Sequence, residues 1–227
     1  MELDSPILTK KALEMNFTNE GGFGGTIRFL KNIAGMWLLQ QSKIKWEQEN
    51  GVQLDYEWIM HEAQENQSFE SIVNPDHERF LNPPNMLEAI RAACKETGQE
   101  SPSTFGEFAA TIFTSLALRY HHVLGMLSDL TGTSFETLHV VGGGSKNRLL
   151  CQYTADATGV PVHAGPDEAT SIGNIIVQAI SNGEIPDVQA GRELVAASFP
   201  PRVYEPRDQE QWNRLYDERY VPLFIES

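Results

Sequence analysis

The sequence is short of the features that mark exported, membrane or nucleic-acid-binding proteins. It holds only two cysteines, Cys94 and Cys151, far apart and outside any metal-ligand spacing. That excludes a disulfide framework and points to a reducing compartment, with the cytoplasm as the expected location. Positive charge is scarce: 17 Lys and Arg stand against 31 Asp and Glu, for a formal net charge of -14 and a pI near 4.8. A surface of that sign repels phosphodiester backbones and anionic bilayers, so nucleic acid and membrane are not expected as partners and a small molecule stays open. No apolar run approaches the ~18 residues that span a bilayer, and Met1 to Thr18 lacks a signal-peptide core. Internal repeats, low-complexity tracts and a convincing linker are also missing.

What is present suffices for one core. At 227 residues and 41% hydrophobic, the chain forms one domain or one large lobe of something bigger. The opening MELDSPILTKKALEMNFTNEGGFGG reads as irregular structure or strands ending at a glycine-rich turn. A helix is predicted over about 25–42, with Ile27, Leu30, Ala34, Trp37, Leu38 and Gln41 on one stripe. Asn50-Gly51 breaks the chain; DYEWIMHEAQEN reads as a short helix, NPDHERFLNPPN as a long ordered loop, and Met86 to Thr97 as a third helix ended by Gly98. The longest helical pattern runs from Ser103 to about Thr131 and stops at Gly132. From there the grammar turns to strand, helix, strand, helix: TLHVV, KNRLLCQYTADAT closed by Gly159, VPVHA, and EATSIGNIIVQAISN closed by Gly183. This is α/β patterning, with Thr137 to Val141 and Val160 to Ala164 expected as parallel neighbours in one sheet. DQEQWNRLYDERYVPLF reads as a last surface helix that turns Trp212, Leu215 and Tyr216 inward.

The segment with chemical content is LHVVGGGSKNRLLCQYTADATGVPVHAG, Leu138 to Gly165. Gly142, Gly143 and Gly144 follow a buried strand, and Ser145 stands where an N-cap would accept from the first helical amides. Glycines permit positive φ and carry no Cβ to hold a base or phosphate off the main chain, and the helix N-terminus offers N–H groups and the positive end of its dipole. The pattern is neither a P-loop nor G-x-G-x-x-G, and a plain tight turn would use the same glycines. Other constellations lead nowhere. HEAQE at His61 to Glu65 lacks a second histidine at position 65, so a zincin site is excluded. His121 and His122 point about 100° apart on a helix and cannot share a metal. Asp167 and Glu168 read as an N-cap and first-turn acid. Ser171 and Gly173 would give their helix a narrow side able to lie against the sheet or the glycine turn. No metal ligand set is expected.

Taken together, NFTNEGGFGGTIRFLKNIAGMWLLQ (Asn16 to Gln40), FLNPPNM (Phe80 to Met86), SLALRY (Ser115 to Tyr120) and Leu138 to Asn174 closely resemble the C-terminal lobe of the FGGY carbohydrate kinases. Within them, TNEGG with RFLKNIAGMWLLQ points to the rhamnulokinase branch. The resemblance covers nearly the whole chain and implies an actin-like ATPase lobe of ribonuclease H-like α/β fold, its sheet flanked by helices. Residues 1–227 are then one nucleotide-binding lobe with a helical and loop insertion at about 43–100. It implies ATP and Mg²⁺ between two lobes and phosphorylation of L-rhamnulose at its 1-hydroxyl. Gly143 matches the glycine against the nucleotide, with Gly142, Gly144, Ser145 and Asn147 completing the adenosine motif. Gln40 matches a nucleotide-contacting glutamine and Asn32 a sugar-contacting position. On one helix, Asn32 and Gln40 would lie about 80° and 12 Å apart, so one edge would touch both substrates; periodicity alone reads them as surface amides.

The family's catalytic aspartate, its first phosphate loop and its GTWS-like segment have no counterpart here, so no catalytic residue is expected in this chain. Met1 and ELDSP read as starting just after the last of them, at a lobe boundary, with the N-terminal kinase lobe as the missing partner and the isolated chain inactive. Where some members carry Cys-Ala-Asp-Ala-Cys, Thr154 to Thr158 reads TADAT, which removes any disulfide there. Kinases of other ketoses, xylulose- or fuculose-type, a non-catalytic ATPase-like interaction module, and an actin-type chaperone or filament lobe are the competing readings.

Overall fold

The computed structural model describes residues 1–225. The chain opens with β1 (Glu2–Leu3), α1 (Lys10–Glu14), β2 (Thr18–Gly21) and β3 (Ile27–Leu30). β3 lies between β1 and β2, antiparallel to both, with Glu2 and Glu20 each opposite Arg28. The helix expected over 25–42 is therefore a strand, a bend and only then a helix. Ile27, Leu30 and Ala34 satisfy a helical stripe, yet alternation wins locally: Arg28 is exposed and Phe29 fully buried, stacked on the Phe17 ring with centroids 4.9 Å apart. Gly24 and Gly25, at φ +70° and +88°, make the reversal that brings β3 back along β2. Residues 31–36 are irregular, and α2 (Trp37–Asn50) starts only after Gly35.

Three helices follow: α3 (Tyr56–Glu65), α4 (Met86–Glu96) and α5 (Phe105–Thr131). α5 is the centre of the core. A capping box starts it, the Thr104 hydroxyl accepting from the Glu107 N–H at 3.3 Å while the Glu107 carboxylate accepts from the Thr104 N–H at 3.0 Å. Gly132, left-handed at φ +69°, ends it. Every residue from 108 to 118 is buried, so the helix is enclosed on all sides rather than half-buried on one stripe. α3 packs along it, and Trp46 of α2 meets Phe105 and Phe108 at 5.6 and 6.2 Å.

The remainder runs β4 (Leu138–Val140), α6 (Arg148–Thr158), β5 (Val162–Ala164), α7 (Ala169–Ser181), α8 (Val188–Ser198), β6 (Arg202–Tyr204), α9 (Gln209–Leu215) and α10 (Val221–Phe224), with one π-helical turn, Tyr216–Tyr220, joining the last two. β4 and β5 are parallel, as expected, and β6 adds antiparallel to β5. The lobe is α/β with helices around its strands, but the strands form two three-stranded sheets rather than one. Of these elements, α8 and β6 carry no clear signal in the sequence. α7 buries none of its residues, and Gly173 meets nothing within 4 Å of where a Cβ would stand. The close helix approach falls instead at Gly191 of α8, where a Cβ would come within 2.5 Å of Ile176. Trp212 and Leu215 of α9 are buried as expected, Trp212 against Tyr153 and Phe69. Both cysteines are free and buried, and burial pushes each thiol up to about 11. Among the described residues no helix is long and apolar enough to cross a membrane.

The two histidines of α5 serve the packing of the C-terminal helices. The His121 ring meets Tyr216 edge-on at 4.2 Å, and His122 Nδ1 shares a 2.7 Å hydrogen bond with the Tyr216 hydroxyl. Burial first, then Arg119, His121 and Lys31, hold His122 neutral and bring its pKa down to about 4 from an ordinary 6.5. The unfolded chain takes up that proton as pH falls through 6.5, whereas the native state resists until about 4. Stability present above pH 6.5 is thus lost across this window. Urea midpoints followed by circular dichroism between pH 7.5 and 4 should fall, and His122→Gln should make the fall shallower; an identical slope in the variant would remove His122 from this role.

Candidate functional site

The glycine turn is built from both of its flanks. β4 delivers the chain to Gly142, whose φ of +75° only glycine adopts without strain. Its N–H donates to the Pro166 carbonyl at 3.0 Å, and the Gly165 N–H donates back to Val140 at 2.8 Å. This seats the turn on the loop after β5. Residues Gly142–Lys146 wind as a 3₁₀ turn, and the Ser145 hydroxyl donates to the Gly142 carbonyl at 2.7 Å. Ser145 therefore ties the turn to itself and is not the N-cap expected of it. That place belongs to Asn147, two residues on, because the 3₁₀ turn delays the α-helix: its Oδ1 accepts from the Leu150 N–H at 2.9 Å. Gly143 and Gly144 face outward, exposed, and a Cβ on Gly143 would meet nothing within 4 Å. The loop acids differ from expectation as well. Glu168 holds the cap position of α7 without a side-chain bond, while Asp167 forms an ion pair with Lys146 at 2.9 Å across the turn. Hydrogen bonding to Lys146 holds the Asp167 carboxyl below the usual range, and the same bond to Asp167 raises Lys146.

The other predicted residues sit around the start of α2. Gln40 is exposed in its first turn, its N–H bonded to the Met36 carbonyl at 2.9 Å. Asn32 is exposed in the irregular 31–36 segment, so the two do not share a helix edge; they stand on either side of the helix start. Neither side-chain amide has a hydrogen-bond partner among the described residues. What joins this region to the glycine turn is Met36, whose sulfur lies 3.8 Å from the amide nitrogen of buried Asn147. The site is thus an open face made by the start of α2 and the β4–α6 turn. A cavity of about 290 Å³ lies elsewhere, between the end of α3 and the start of α5.

Several residues of consequence carry no motif. Asp76, in the loop before α4, bonds both the Ala34 N–H and Arg119. Asp156 is buried in α6, where its carboxylate accepts from Gln152 at 2.7 Å and from the Arg207 N–H at 2.8 Å; burial raises its pKa. Its place in TADAT marked it only as a departure from Cys-Ala-Asp-Ala-Cys. The threonines flanking it bond back into the helix, Thr154 to the Leu150 carbonyl and Thr158 to that of Thr154. His61 is exposed beside Glu62, and among the described residues no three His, Cys, Asp or Glu side chains group to hold a metal.

A strand, a three-glycine turn and a capped helix leave an open backbone face in an α/β lobe, and comparison with known proteins gives the chain a family. Residues 1–182 match the C-terminal domain of the FGGY family of carbohydrate kinases, and the chain belongs to that family. It is 47% identical over 216 residues to a rhamnulokinase of Bacteroides thetaiotaomicron, covering 95% of this chain and 44% of that protein. With the Bacillus subtilis rhamnulokinase it shares 41% identity over 210 residues, 92% of this chain and 42% of the relative. The chain therefore spans less than half the length of these relatives. In fold it is similar to a xylulose kinase from Rhodospirillum rubrum, with a TM-score of 0.62 at 16% identity over 91% of this chain and 41% of that one. It is likewise similar to Plasmodium falciparum glycerol kinase solved with ADP, with a TM-score of 0.63 at 11% identity over 98% of this chain and 44% of that one.

The cap makes a direct test of how the turn is held. Asn147→Ala removes the acceptor for Leu150 and the contact with Met36, and should cost about 1 kcal/mol in urea unfolding. Asn147→Asp keeps the cap and should recover most of it. Equal losses in the two variants would place the importance of Asn147 elsewhere.

Proposed function

We propose that residues 1–227 are the nucleotide-binding C-terminal lobe of an ATP-dependent ketose kinase that phosphorylates L-rhamnulose at its 1-hydroxyl. The observation that carries this reading is the open glycine turn against the start of α2, in a chain more than 40% identical to proteins named rhamnulokinase. The bare backbone of Gly142, Gly143 and Gly144 lets a planar base and its sugar lie on the main chain, where a side chain would hold them off. Ser145 and Asn147 keep the turn in shape rather than contributing charge. Gln40 offers a free amide to the nucleotide and Asn32 one to the ketose, so the two substrates are read from opposite sides of the α2 start. Mg²⁺ would come with the triphosphate, because hard cations with few protein ligands keep phosphate and water oxygens.

The base that takes the sugar proton belongs, on this reading, to the lobe this chain does not span. Phosphoryl transfer then needs little covalent chemistry from these residues: they position the donor, and closure of two lobes excludes water around it. The sequence likeness favours L-rhamnulose over xylulose- or fuculose-type ketoses, whose choice the other lobe would make.

Two experiments test the parts separately. Calorimetric titration of MgATP into the chain should show binding with a Kd of about 1 mM or tighter, abolished in Gly143→Leu with its unfolding temperature unchanged, since the new side chain points into open space. Equal heats from both proteins would rule out the turn as the nucleotide site. In a coupled assay the chain alone should be inactive, while the chain joined to the remainder of the Bacteroides relative should turn over ATP with L-rhamnulose in preference to other ketoses. A joined protein that binds MgATP and phosphorylates no ketose would leave a nucleotide-binding interaction module instead.

A further inference from the structure

The 31–36 segment has no helix or strand of its own, yet it carries Asn32 and ends on Met36 beside the glycine turn. Its position is fixed from outside. Asp76 Oδ1 accepts from the Ala34 N–H at 2.6 Å, and Oδ2 accepts from Arg119 Nε at 2.7 Å. Both side chains are mostly shielded, 22% and 12% exposed. A carboxylate that joins a guanidinium to a main-chain amide in such surroundings makes charge-assisted bonds, stronger than those of a solvated surface pair. Removing it would leave Arg119 without its counter-charge in a place where water reaches it poorly.

The loop that holds Asp76 is itself fastened to α5. The Val73 N–H donates to the buried Ser115 hydroxyl at 2.9 Å, one helical turn before Arg119. On the other side, Trp37 Nε1 donates to the Phe80 carbonyl at 3.2 Å. Residues 72–80 thus form a strut from Ser115 and Arg119 of the buried helix to Ala34 and Trp37 at the start of α2. Sequence inspection passes over it because NPDHERF reads as a loop between two helices.

We propose that Asp76, oriented by Arg119, is a positioning residue that sets the 31–36 segment and thereby the ketose-facing Asn32. This rests on the reading of Asn32 as the sugar contact. Asp76 touches no substrate; it acts through the Ala34 amide. Displacement of a positioning segment by an ångström costs on the order of 10²-fold in catalysis, so the effect should be large for the sugar and small for the nucleotide.

The experiment uses Asp76→Ala, which removes both bonds, and Asp76→Asn, which keeps an acceptor oxygen for Ala34. In the chain alone, amide hydrogen exchange of peptides covering 31–36 should quicken roughly tenfold in the alanine variant. Protection over 108–118 should hold, and the asparagine variant should restore most of the slow exchange. Unchanged exchange at 31–36, or equal loss of protection in α5, would overturn the proposal. In the protein joined to the remainder of the Bacteroides relative, Asp76→Ala should raise KM for L-rhamnulose roughly tenfold while KM for ATP moves less than about twofold, with partial rescue by asparagine. Equal rises for both substrates would also overturn it. A parent protein that phosphorylates no ketose defeats the functional reading itself, and hydrogen exchange then decides the strut on its own.

Discussion

The lobe depends on the complete burial of the first half of α5. A helix enclosed on every side needs partners around its whole circumference, and the chain supplies them from distant places: α3, α2 and α4 before it, α6 after it and the C-terminal helices last. The stretch from Phe108 to Leu118 is largely apolar, so most of this enclosure is hydrophobic burial without direction. Direction comes from its few polar groups. Ser115 inside the buried run and Arg119 at its end cannot be left without partners in such surroundings. They are satisfied by Val73 and Asp76, and that requirement carries order from the core to the start of α2.

The glycine turn depends on a different constraint, the short-range geometry of a strand passing into a helix. Val140 and Gly165 bind one backbone to the other, and Gly142 takes a φ that a Cβ would strain. Only after this reversal can the 3₁₀ turn expose Gly143 and Gly144 and place Asn147 as the cap. The two constraints meet at Met36 and Asn147. One side of the contact is set by α5 through the strut, the other by β4 and β5, so the face they share is a product of tertiary packing although each residue in it looks local.

This divides what the sequence discloses from what it hides. Helix ends at Gly51, Gly132 and Gly159 were legible because left-handed caps leave a chemical mark, and all three glycines have φ between +65° and +69°. The parallel pair β4 and β5 was legible from apolar runs bounded by glycine. The stretch 25–42 was not, since Ile27, Leu30 and Ala34 fit the helical period, and the deciding event, Phe29 closing on Phe17 twelve residues away, is a tertiary contact that this period does not show. α8 and β6 pass unnoticed because they are short and mostly exposed, with little pattern to impose. At the site, the glycines, Gln40 and Asn32 could be singled out by likeness to a family. Arg119 falls within SLALRY, a segment of the same likeness, but its role and that of Asp76 were hidden, because their significance lies in a pairing across 43 residues that no local spacing encodes.

The placement of Asn32 changes what the lobe contributes. On a single helix edge, the two polar residues would move as one rigid unit, and nothing would need to hold one relative to the other. On either side of a helix start they are mechanically distinct: Gln40 inherits the rigidity of α2, whose first turns bury Leu38 and Leu39, whereas Asn32 is held through its neighbours, by Lys31 on the Met15 carbonyl, by Ile33 beside Phe17 and Phe29, and by the Asp76 bond to Ala34. On the proposed reading, this lets the Gln40 side of the face stay fixed with α2 while the Asn32 side answers to its own anchors. Asp76 reaches Ala34 because the chain between α2 and α5 folds back over the start of α2, so that stretch shapes the face as well as filling the core.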